Sequence, residues 1–173
     1  MHTHIAAFLT IATLTGCAVP QPFKELERPA PGYAKMYVLR PAFSDVSRNE
    51  SPTLYINDRE AVQLEFQSYS DFTLKPGTYK LSVKPQQSES SVWTGEWKLS
   101  IQSDQTYFLA IWNDVENRQE TRAWYLGLPM PYVVTVGTNK SLHHELVAEK
   151  DALPVIRTLN YVRPIAKDFA PLP

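Results

Sequence analysis

Apolar and polar residues alternate with a period of two over much of the chain between Lys35 and Val136, the spacing of half-buried β-strands. Met36-Tyr37-Val38-Leu39-Arg40 forms one such run, and Pro41 ends it. Residues 42–52 are polar and read as a loop. Thr53-Leu54-Tyr55-Ile56 is the second run, closed by Asn57-Asp58-Arg59. Asn and Asp tolerate positive φ, so a tight hairpin is expected there. Val62, Leu64 and Phe66 then alternate with Gln63 and Glu65. In the stretch 72–84, Pro76-Gly77 fits the two central positions of a type II turn. Beyond it Tyr79, Leu81 and Val83 point one way, and Lys80, Ser82 and Lys84 the other. A register slip of one residue would expose all three apolar groups, so this strand is well specified. Trp97, Leu99 and Ile101 repeat the pattern against Glu96, Lys98 and Ser100, and Ser103-Asp104-Gln105 makes the next turn. Thr106 to Trp112 is apolar on both faces, which predicts a central strand. Residues 113–122 are polar and read as a loop or an exposed hairpin tip, and Pro131 to Val136 is a further apolar run ended by Gly137.

After this the pattern changes. Leu142 to Val147 is compatible with strand or helix. Asp151 followed by Ala152-Leu153-Pro154 looks like an N-cap with Pro in the first turn, and Val155, Ile156 and Leu159 recur at helical spacing. A short helix from about Ala152 to Asn160 is expected, then an extended tail carrying Pro164, Pro171 and Pro173. The fold class read from these signals is all-β: a single antiparallel β-sandwich over 35–148, with a C-terminal helix and tail over 149–173.

The chain ahead of the sandwich divides in two. Residues 18–34 hold Pro20, Pro22, Pro29, Pro31 and Gly32 with Lys24, Glu25, Glu27 and Arg28, a composition that stays extended and solvated. Residues 17–34 therefore read as a tether. Before it, Ile5 to Leu14 is an uncharged, mostly apolar run. About ten residues cannot span a bilayer, which needs roughly 20, but this is the length of a signal-peptide core. Leu14-Thr15-Gly16-Cys17 follows directly and resembles the lipobox of bacterial lipoproteins. Small residues before the cut let the backbone enter a narrow peptidase cleft. The resemblance implies removal of residues 1–16, a diacylglyceryl group on the Cys17 thiol and acylation of its freed amine. Several acyl chains give stable attachment where one is marginal. Met1-His2-Thr3-His4 departs from the usual pattern in carrying no Lys or Arg. Ala18, rather than Asp, follows the Cys, which by the sorting rule of enteric-type bacteria favours the outer membrane.

Three strings in the β region carry a second resemblance. Tyr37-Val38-Leu39-Arg40-Pro41, Leu54-Tyr55-Ile56-Asn57-Asp58 and Leu74-Lys75-Pro76-Gly77-Thr78-Tyr79-Lys80-Leu81 together resemble the bacterial family called domain of unknown function 2846. The match covers roughly residues 34–112, with Asn57-Asp58 standing where Asp-Gly is frequent. It implies a β-sandwich similar to transthyretin-like or PEGA-like modules, commonly on a lipoprotein, and it carries over no catalytic residue.

Composition narrows the chemistry. Seventeen Lys and Arg against 18 Asp and Glu give a net charge of −1, which argues against nucleic acid as a partner. The signal run contains no Asp, Glu, Lys or Arg, so the mature chain is equally near neutral. One cysteine excludes an intrachain disulfide, a Cys-based zinc site and a CxxC redox pair. Beyond His2 and His4 the histidines are His143 and His144, and neighbours on a strand face opposite sides, so they are poorly placed to share a metal. Asp58 with Glu60, or Asp114 with Glu116, could form an acid pair of the glycosidase kind, but solvated loop charges account for both. Of the tryptophans, Trp97 and Trp112 read as core. Trp93 and Trp124, beside polar loops, are candidates for contact with a ligand or partner. Arg40, at a strand end before Pro41, reads as a structural ion pair or a group that recognises an anion, with pairing favoured.

The expected protein is a non-enzymatic, membrane-anchored module of the bacterial envelope, facing the periplasm, with no cofactor and no metal. Its partners are the membrane, through the lipid on Cys17, and an envelope protein or glycan. The alternative is an aromatic-lined module that binds glycan, peptidoglycan or lipid.

Overall fold

The first strand, β1 (Ala34–Arg40), is buried along its whole length. It is the middle of a five-stranded sheet. The computed structural model describes residues 22–42, 48–86, 91–122 and 132–173. Chain direction switches sheets repeatedly. β2 (Thr53–Ile56) and β3 (Arg59–Gln63) form a hairpin in a second sheet, and β4 (Ser68–Leu74) returns to the first. β5 (Gly77–Lys84) and β6 (Gly95–Ile101) belong to the second sheet, and β7 (Thr106–Arg122) and β8 (Tyr132–Val147) to the first. Helix α1 (Glu149–Ile156) and the two-residue strand β9 (Asn160–Tyr161) complete the order. The sheets run β8-β7-β1-β4-β9 and β3-β2-β5-β6.

The chain is mostly β and sandwich-like, with one short helix, but its pairing is mixed. β1 lies parallel to β7, from Lys35↔Thr106 to Leu39↔Ala110, and β4 lies parallel to β9. The expectation of purely antiparallel pairing is corrected here. Parallel neighbours need a long crossover, and the excursions through the second sheet and through α1 supply one in each case.

Between the sheets the alternating positions meet as predicted. Met36, Val38 and Phe72 face Leu54, Tyr79 and Leu81, all nearly solvent-free. The tight hairpin is present, with Asn57 at φ 50° and Asp58 at φ 63°. The Asn57 side chain also accepts from the Lys80 backbone N–H, tying the hairpin to β5. Pro76-Gly77 instead marks the corner where the chain leaves β4 for the other sheet, and Gly77 has φ +142°, outside the range of a type II turn.

Further expectations are corrected, and open choices are resolved. Of the two readings of residues 113–122, loop or exposed hairpin tip, the loop is excluded: they are the outer part of a hairpin arm, with β7 running to Arg122 and paired with β8 back to Tyr132. Beyond Ala110 its ladder partner among the described residues is β8 alone, so this ribbon has less need of an apolar face. Leu142 to Val147 is the end of β8. The helix begins three residues early, at Glu149, with Ala148 rather than Asp151 as N-cap. Asp151 lies in the first turn, where a carboxylate favours the positive end of the helix dipole. Pro154 lies inside the helix, and the helix ends at Ile156.

Around β1 both faces of the first sheet are covered. Tyr37, Leu39 and Phe108 point away from the second sheet and are buried under Ala152 and Ile156 of α1. Residues 22–33 are extended, as their prolines dictate, but they lie on this face rather than free in solvent. Pro22 bridges to Asn160, and the Phe23 ring meets Tyr37 edge-on at 6.1 Å and Tyr69 at 5.7 Å. The tail after β9 is also extended and crosses to the second sheet. Ile165 N–H donates to Ala61 O and Leu172 N–H to Thr78 O, while Phe169 enters the core beside Phe72.

Candidate functional site

Arg40 and Trp93, both singled out by sequence, come together in the structure. Arg40 closes the inner end of β1 and is 3% exposed, and Trp93, in the single turn Ser91–Trp93, is 1% exposed. The guanidinium sits 4.7 Å from the Trp93 ring centroid and donates to the backbone carbonyls of Glu50 and Leu64. Burial lowers its pKa to about 10, with the Glu50 carboxylate acting in the opposite direction. Arg40 therefore braces the 48–52 segment and the chain just after β3 by capping carbonyls, and the Glu50 carboxylate is near enough to stabilise its charge. A buried indole offers no face to a sugar, so Trp93 serves the core, contrary to its candidacy as a contact residue.

A second charged cluster lies on the outer face of the first sheet. Lys35, with its side chain 7% exposed, is 2.5 Å from an Asp71 carboxylate oxygen and 2.7 Å from Glu27. Burial lowers the Lys35 pKa, but the hydrogen bonds to Asp71 and Glu27 outweigh it and leave a net rise. Tyr161 also bonds Asp71, and burial together with that carboxylate pushes its hydroxyl up to about 12. The cluster borders a polar groove of about 610 Å³ that also touches Lys167 and Asp168. An amine held protonated this firmly is neither a nucleophile nor a base near neutral pH. The arrangement fastens the 22–33 segment to β1 and β4. Sequence reasoning passed over Lys35 because it looks like any outward lysine on an alternating strand.

The two histidines face opposite sides of β8, as strand geometry requires. His143 stacks on Trp112, its partner across the ladder, at 5.4 Å. Ser141 Oγ lies 2.8 Å from His143 Nε2. His144 stacks on Trp97 at 4.0 Å, almost parallel, and so joins β8 to the second sheet. Burial, then the charge of His143, lowers the His144 pKa. The carboxylates of the suspected acid pair separate: Asp58 engages Lys80 at 2.7 Å and Glu60 accepts from the Tyr55 hydroxyl at 3.1 Å. Asp114 and Glu116 are on β7.

The most ligand-like concavity lies between α1 and the first sheet. Leu39, Ala110 and Val147 form its floor, and Ala152 and Val155 of α1 form one wall. Trp112 stands at the open end, and Glu145 and Asp151 complete the rim. Its volume is about 340 Å³, at the lower end of small-ligand pockets, and it is apolar with few polar groups, as such pockets are. Trp112 is half-buried here rather than in the core, because its position on β7 lies beyond the end of α1. Its apolar neighbours in sequence hide this, since β7 is buried on both faces from Phe108 to Ile111 and Trp112 is the first residue beyond them to be half-exposed.

Cys17, the cleavage residues Leu14, Thr15 and Gly16, and Trp124 lie outside the described residues. Among the described residues no helix is long and apolar enough to cross a membrane, and no group of three metal-ligating side chains gathers. Comparison of the chain with known protein families and with curated proteins finds no match.

Proposed function

We propose that the chain is a lipid-anchored accessory module of the bacterial cell envelope, processed at Cys17, facing the periplasm from the outer membrane, and working by contact rather than catalysis. The observation that carries this reading is the ten-residue apolar run closed by Leu14-Thr15-Gly16-Cys17, with proline-rich chain after it. The β-domain is read as a sandwich of the kind implied by the likeness to domain of unknown function 2846, with the parallel β1–β7 pair as its own variation. Binding is favoured over catalysis because the buried cations Lys35 and Arg40 are already engaged in holding the fold together. Lys35 is held by two carboxylates, and Arg40 by carbonyls and an indole. Substitution of Cys17→Ala tests the anchor: the protein is expected to leave the detergent phase for the aqueous phase, and an unchanged partition contradicts the proposal.

The alternative, a ligand-binding module lined by aromatics, gains support from the half-buried Trp112 beside an apolar pocket. Trp112→Ala would then abolish retention on the ligand without lowering the membrane-bound fraction.

A further inference from the structure

The pocket under α1 has a charge character that suits one kind of occupant. Across the first sheet Leu39, Ala110 and Glu145 lie in one row, by the pairings Leu39↔Ala110 and Ala110↔Glu145. The next row towards α1 holds Phe108, and the next row away holds Trp112 with His143. Ala110 is thus a methyl between two large aromatics on the same strand face, and the space a longer side chain would fill is the pocket. The floor is aliphatic. Two carboxylates from different elements, Glu145 on β8 and Asp151 on α1, stand at the rim, both exposed, and among the described residues no Lys or Arg lines the cavity. A second hollow of about 330 Å³ shares Pro41 and Val155 with the first and continues past Gln67 and Thr158.

The geometry points to a binding site for a lysine side chain presented by a partner polypeptide. The aliphatic stem would lie on Leu39 and Ala110, as lysine stems lie on apolar surfaces. The ammonium would reach Glu145 and Asp151, and the adjoining hollow would take neighbouring residues of the same chain. A free amine would leave that hollow empty. This inference rests on the reading of the domain as a contact module and names its partner's chemistry.

The test uses the full chain in detergent micelles, with amide and indole NMR shifts read during titration. The probes are a blocked alanine-lysine-alanine peptide, the same peptide with norleucine, and butylamine. The lysine peptide is expected to give saturable shifts at the Trp112 indole and at Ala110 and Val155. The norleucine peptide and butylamine should each bind about tenfold more weakly. The pair Glu145→Gln and Asp151→Asn, both at exposed positions, should weaken the lysine peptide about tenfold and raise no other signal changes. Ala110→Leu should block it. Equal binding of the norleucine peptide would overturn the charge argument, and equal binding of butylamine would overturn the polypeptide. Unsaturable shifts would overturn the site. None of these outcomes depends on Cys17, so failure of the anchor and failure of the pocket are distinguishable.

Discussion

Substitution of Gly77 by alanine probes how the tail holds the two sheets together. Gly77 has φ +142°, a region that costs a non-glycine residue about 1–3 kcal/mol. A Cβ built there would lie 2.4 Å from Pro171 Cβ and 2.9 Å from its Cγ, so the tail must move. Moving it loosens Leu172 N–H from Thr78 O and withdraws Phe169, now 6% exposed, from its place beside Phe72. Losing the burial of one aromatic side chain costs about 1.5–3 kcal/mol and one hydrogen bond about 1 kcal/mol. Gly77→Ala should therefore cost about 5 kcal/mol, of which the part beyond backbone strain depends on Pro171. Pro171→Gly removes the colliding atoms. In a double-mutant cycle by urea unfolding, Gly77→Ala should cost about 3 kcal/mol less when Pro171→Gly is already present. A coupling below about 0.5 kcal/mol would refute the claim that the tail is seated against Gly77.

Arg40→Lys should cost about 2 kcal/mol by thermal or urea unfolding, because a lysine cannot cap two carbonyls and stack on Trp93 together; a change under 0.5 kcal/mol would contradict this. Lys35 and Tyr161 both have raised folded pKa values, so their contribution is complete below the unfolded values of 10.5 and 10.0. Stability should fall as pH rises from 10 through about 12, and Tyr161→Phe should flatten part of that fall. His144 is shifted the other way, so its contribution is present above pH 6.5 and is lost as pH drops below it. His144→Phe, which keeps a ring on Trp97, should reduce that acid sensitivity in a series of melting curves.

The strands whose side chains alternate were legible because one buried face forces a period of two. Tyr79, Leu81 and Val83 are the clearest case, and Asn57-Asp58 declared its hairpin through the conformations those residues tolerate. Pairing was less legible. Nothing local to β1 or β7 says that they lie side by side in parallel, since that neighbourhood is set by where the chain goes in the intervening five strands. The polar stretch 113–122 hid a strand, because a two-stranded ribbon need not show the alternation that a covered sheet imposes. Phe23 and Leu26 were two apolar residues among prolines and charges, too few to announce that this segment docks on Tyr37 and Tyr69. The tryptophans exchanged expected roles for the same kind of reason. Trp93 is enclosed by Arg40 from a distant strand, and Trp112 stands just past the edge of a helix some 40 residues away in the chain. The likeness of residues 14–17 to a lipobox is carried by a local string alone and depends on no distant contact.

The central claim is that the working protein begins at a lipidated Cys17, and the mass of the N-terminal tryptic peptide from the membrane fraction tests it most directly. Lys24 is the first basic residue, so the account predicts a peptide of residues 17–24. It should be heavier than its amino acids by one diacylglyceryl group on sulfur and one acyl chain on nitrogen. A peptide that begins ahead of Cys17, or one that carries a free thiol there, would contradict the account.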